Sequence, residues 1–135
     1  MANSTIGFFG VFGRSHDMRE LDRAFRAVDV HPRMVPEAVK LTMAKLLKEA
    51  NGGREPDASA YAAAAELVGY CMLGAEAFAG VNDEAAALAV EGRIERALAS
   101  EDSDGIDSQL ILLALHAKLM EASVVDLFDL KSETD

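Results

Sequence analysis

Residues 58–80, ASAYAAAAELVGYCMLGAEAFAG, are apolar almost without interruption and rich in alanine. Alanine, leucine, methionine and glutamate are strong helix formers, so the stretch reads as a helix, and its apolar positions run nearly all round. Such a helix belongs either in a bilayer or at the centre of a bundle. It is long enough to span a membrane. However, Glu66 and Glu76 lie inside it, and two carboxylates in hydrocarbon are costly. The stretch is therefore expected to be the central helix of a bundle, over about 58–79 with Gly80 as its stop, and no stable membrane anchoring is expected.

The flanking segments are amphipathic helices. Met18, Leu21, Phe25 and Val28 fall at i, i+3, i+7 and i+10, one face of a helix over about 17–28. Asp17 is its expected cap, with Glu20 closing a capping box. A second helix starts at Pro36 and ends before Asn51-Gly52-Gly53, with Val39, Met43, Leu46, Leu47 and Ala50 toward the core. Asn82 is expected to cap a further helix. Residues 107–121 form another, and Ser123 opens a short last one. No strand run, hairpin signal or repeat is present. The expected fold is all-α, a single-domain bundle of five to six helices over 15–130, with an apolar arm at 1–14 and a frayed tail at 131–135.

Charge is unevenly placed. The formal net charge is -10; residues 1–56 hold nine Lys/Arg against seven Asp/Glu, and residues 57–135 hold four against sixteen. An acidic body repels nucleic acid, so no nucleic-acid partner is expected. Against this background Arg19, Arg23 and Arg26 form a basic stripe on the first helix, flanked by Arg14 and Arg33. That stripe is a candidate surface for an anion or an acidic partner, set against a plain solvated face paired with Glu20 and Asp22.

The most apolar part of the arm is IGFFGVFG, residues 6–13. Ile6, Phe8, Phe9, Val11 and Phe12 are worth about 1.5–3 kcal/mol each when buried. Ordering the segment costs about 1–2 kcal/mol per residue, so it pays to order the arm only where its side chains find good pockets. Left in water it is an interaction patch. These residues are therefore expected to contact the chain's own bundle or a second copy and to help make a homodimer.

Catalytic and metal signatures are absent. None of His16, His31 and His116 has a glutamate three residues before it, so the di-iron pattern fails. The loop SEDSDGID, residues 100–107, lacks ligands at two calcium-loop positions. No cofactor and no metal are expected. Cys71 lies mid-helix and reads as a small buried hydrophobe. A single cysteine and no visible signal peptide suit a cytoplasmic protein. One polar cluster offers a different function. Glu66 and Tyr70 share a helical face four residues apart. If that face meets the helix carrying His116, the three form either a structural hydrogen-bonded cluster or the acid/base lining of a small-ligand or enzyme pocket. Protein–protein contact, including self-association, is the leading expectation, and this pocket is the alternative.

Overall fold

The computed structural model describes residues 15–100 and 105–130. The arm and the tail expected at the two ends lie outside these residues. Among the described residues there are seven α-helices and no strand: α1 His16–Ala27, α2 Glu37–Ala50, α3 Ala58–Leu73, α4 Ala75–Val81, α5 Glu84–Ala99, α6 Ile106–His116 and α7 Ala122–Phe128. A short 3-10 turn, Pro32–Met34, precedes α2. The fold is the all-helical bundle read from the sequence.

The apolar run sits at the centre. Helix α3 contacts α1, α2, α4, α5 and α6. Tyr61, Ala64, Ala65, Leu67, Val68, Tyr70 and Cys71 are all buried along it. Small residues make this crowding possible. A Cβ on Gly69 would stand 3.2 Å from Val28 Cγ2 and 3.4 Å from Val30 Cγ2. No described helix is long and apolar enough to cross a membrane.

The expected single helix over 58–79 is two helices. Gly74 breaks it with φ 90° and ψ 163°, a conformation open to glycine and strained for other residues. The break turns α4 away from α3 and brings Gly74 against Glu121 and Ser123 at the start of α7. Glu121 N–H donates to Cys71 C=O at 2.7 Å, tying the start of α7 to the end of α3.

Three helix boundaries also differ from expectation. Ser15, not Asp17, caps α1, its Oγ accepting from Met18 N–H at 3.2 Å. This leaves Asp17 to accept from the Tyr61 hydroxyl at 2.7 Å. Asp83, not Asn82, caps α5 through Ala86 N–H. Asn82 instead donates its amide to Val28 C=O and Phe78 C=O, joining α4 to the end of α1. Helix α6 stops at His116 rather than 121, because Lys118 takes a left-handed conformation at φ 60°. The apolar stripe of α1 is as read: Met18, Leu21, Phe25 and Val28 are all buried.

Candidate functional site: a cationic cleft between α1 and α2

Lys40 is the only buried charged residue among those described, at 3% exposure. It lies on the inward stripe of α2 with Val39, Met43 and Leu47, which are also buried. A buried ammonium must be matched by acceptors. Its three N–H donors have three oxygen neighbours: Asp22 Oδ1 at 3.0 Å, Glu37 Oε1 at 3.0 Å and the Pro32 carbonyl at 3.2 Å. Lys40 therefore joins α1, the Pro32–Met34 turn and the first turn of α2 at one atom.

Above this ammonium lies a cleft of about 530 Å³. Asp22 and Arg26 reach it from one face of α1, His31 and Arg33 from the connecting turn, and Glu37 and Lys40 from α2. Pro32 and Pro36 frame it and stiffen its walls. His31 Nδ1 accepts from the Arg33 backbone N–H at 3.1 Å, which leaves Nε2 to carry the ring proton. Arg26 and Arg33 are exposed at the rim. Among the described residues neither guanidinium has a hydrogen-bond or ion-pair partner. The two carboxylates of the cleft face Lys40, and the two arginines face the opening.

The three arginines of the expected stripe have different fates. Arg26 lines the cleft. Arg23 is bound to Glu20 one turn back. Arg19 is exposed and already engaged. Lys40 was not anticipated, although a lysine on an apolar α2 stripe is a visible anomaly. Ile6, Phe8, Phe9, Val11 and Phe12 lie outside the described residues.

The alternative pocket does not assemble from the residues expected to line it. The Glu66 side chain is 47% exposed and stands 3.7 Å from Arg93 Nη1. Tyr70 is fully buried and its hydroxyl donates to Glu91 Oε2 at 2.6 Å. His116 is exposed at the end of α6. No hydrogen bond or ion pair joins the three among the described residues. Burial, reinforced by the bond to Glu91, pushes the Tyr70 phenol far above its ordinary range, so it keeps its proton. Cys71 is buried, and burial pushes its thiol up to about 12. No group of three or more His, Cys, Asp or Glu among the described residues is arranged to hold a metal ion.

Comparison with protein-family models, curated proteins and solved structures finds no match.

Proposed function

We propose that this chain works through protein–protein contacts, receiving an acidic segment of a partner in the α1–α2 cleft. The observation that carries this is the pair Arg26 and Arg33, exposed at the mouth of the cleft with no ionic partner among the described residues. Arginine presents a planar fork of donors matched to carboxylates. A hydrogen bond to a charged group contributes about 1.5–3 kcal/mol. The net charge of -10 sharpens the choice of docking site, since an acidic segment is repelled elsewhere and steered to this rim. The lack of Phe, Tyr or Trp in the cleft favours a peptide over a single-stranded nucleic acid, whose bases stack on large aromatic rings.

Self-association belongs to the same proposal. Leu41 is 58% exposed on α2, in a shallow groove shared with Met18, Ala44 and Ser15. Ser15 directly follows the Gly/Phe stretch and Arg14 in the chain. The groove is the proposed seat for residues 6–12 of a second copy, giving a homodimer. A cytoplasmic setting is part of the proposal too, supported by the single cysteine.

The test is fluorescence anisotropy with a labelled Glu/Asp-rich peptide and the full-length protein. Binding is expected to weaken with salt, to fall at least tenfold in R26E/R33E, and to be absent for a matched uncharged Gln/Asn-rich peptide. Equal affinity for both peptides, or an unchanged R26E/R33E protein, would overturn it. So would tighter binding of a single-stranded oligonucleotide.

A further inference from the structure

A second, chemically different cavity lies at the opposite end of α2. It has a volume of about 170 Å³ and is walled by Leu47 of α2, by Ala60, Ala63 and Ala64 of α3, and by Ile106 and Leu110 of α6. The alanines fall at i, i+3 and i+4, so all three face the same way. Their short side chains leave space that α2 and α6 do not close. The alternative expected from the sequence was a pocket between these same two helices, α3 and the helix of His116, but built from Glu66, Tyr70 and His116. The open space lies at the other end of α6.

The rim is polar, and its polar groups are already matched. Arg93 of α5 grips Asp107 with two hydrogen bonds, Nε to Oδ2 at 3.2 Å and Nη2 to Oδ1 at 2.9 Å. Its Nη1 donates to the Ala63 carbonyl at 3.0 Å. Asn51 gives its amide hydrogens to the carbonyls of Arg54 and Glu55. No buried side-chain nitrogen or oxygen among the described residues lacks a partner. The cavity thus offers apolar walls and no unmatched charge. An anion entering it would meet Asp107 and the nearby Glu66, and a cation would meet Arg93.

We infer that this cavity is a binding site for a small neutral apolar molecule of about one-ring size. The size follows from the volume, close to the roughly 150 Å³ of an enclosed apolar cavity that holds benzene, here with one side open to solvent at the polar rim. The neutrality follows from the self-matched rim, because a charged ligand would have to break the Arg93–Asp107 pair to gain a partner. Arg93 and Asp107 stand at the mouth and tie α5 and α6 to α3 through the Ala63 carbonyl.

The experiment uses benzene as the probe and the full-length protein. Amide and methyl chemical shifts are followed by NMR as benzene is added, alongside thermal melting. Saturable shifts are expected at Ala60, Ala63, Ala64 and Leu110, with a rise in Tm. Benzoate and benzylamine should bind at least tenfold more weakly. A60L, which fills the cavity from its edge, should lose the benzene-dependent rise. The wild-type NMR titration decides the matter even if A60L folds poorly. Shifts absent from these residues, shifts scattered over the surface, or equal binding of benzoate or benzylamine would overturn the site.

Discussion

The hydroxyl of Tyr61, on α3, donates a 2.7 Å hydrogen bond to Asp17 Oδ1 on the first turn of α1. The two residues lie 44 positions apart, and the bond fixes which end of α1 meets α3. Tyr70 makes the equivalent bond to Glu91 on α5 at 2.6 Å. Each phenol is held protonated, first by burial and then by the carboxylate it donates to.

These two tyrosines set an alkaline limit on stability. Their folded-state pKa values are raised above the ordinary value of 10.0. The stabilisation is full below about pH 10 and falls as pH rises, because only the unfolded state then sheds the protons. Between the unfolded and folded values each tyrosine contributes a slope of about 1.4 kcal/mol per pH unit. Urea unfolding from pH 9 to 11.5 is expected to show this loss, and Y61F and Y70F should each flatten it. Identical slopes in wild type and both variants would contradict the assignment.

Lys40 is expected to be a stability residue as well as the floor of the cleft. K40M removes the buried ammonium that Asp22 and the Pro32 carbonyl share. Breaking a buried pair from one side costs about 3–5 kcal/mol. Asp22 is 17% exposed and Glu37 59%, so water relieves part of this and a loss of about 2–3 kcal/mol is expected. Denaturant melts of the variant provide the measurement, and a loss under 1 kcal/mol would mean the ammonium is dispensable.

Gly74→Ala should destabilise the protein by about 1–2 kcal/mol, since φ 90° strains any residue with a Cβ. The added methyl would also press on Ser123 Oγ at 3.2 Å. Gly80→Ala, with open space around its Cβ, is the matched control and should be neutral or slightly stabilising. Thermal melting of the pair distinguishes the structural break from a general intolerance of substitution.

Cys71 should resist thiol reagents in the native protein. Its side chain is buried and its thiol pushed up to about 12, so almost no thiolate exists near neutrality. Labelling at pH 8 is expected to be slow when folded and rapid in denaturant. Rapid native labelling would show that the α3–α7 contact opens readily.

The proposed homodimer has its own test. F8S/F9S/F12S in the full chain should convert dimer to monomer by light scattering. An unchanged mass would remove the Gly/Phe stretch from the proposed interface.

Much of the bundle was legible because local periodicity decides it. The α1 stripe and the apolar centre of α3 are properties of neighbouring residues. The break at Gly74 was not legible, because the pattern stays apolar on both sides and only the packing against Ser123 and Glu121 shows why the chain turns. The cap of α1 was misread for a similar reason. Ser15 and Asp17 both suit a cap, and a tyrosine 44 residues away claims Asp17. At the sites, Arg26 was visible as a basic residue on a helix face. That no carboxylate among the described residues pairs with it was not, since that depends on where Asp22 and Glu37 turn. Glu66 and Tyr70 show the limit of spacing rules. Four residues on a helix leave an angular offset of about 40°, enough to bury Tyr70 while leaving Glu66 in water beside Arg93.

The ion pair at the floor of the cleft spans only 18 residues, from Asp22 to Lys40. Every wall of that cleft belongs to the same short stretch. The rim of the apolar cavity instead needs Arg93 to meet Ala63 across 30 residues and Asp107 across 14, with α2 alongside. Loop closure costs more as the loop lengthens, and proteins open locally in contiguous segments as well as globally. The two sites share α2 but draw their other walls from different elements. Fluctuations that loosen α5 and α6 would empty the cavity while α1 and α2 still hold the cleft, so hydrogen exchange should divide the molecule along that line.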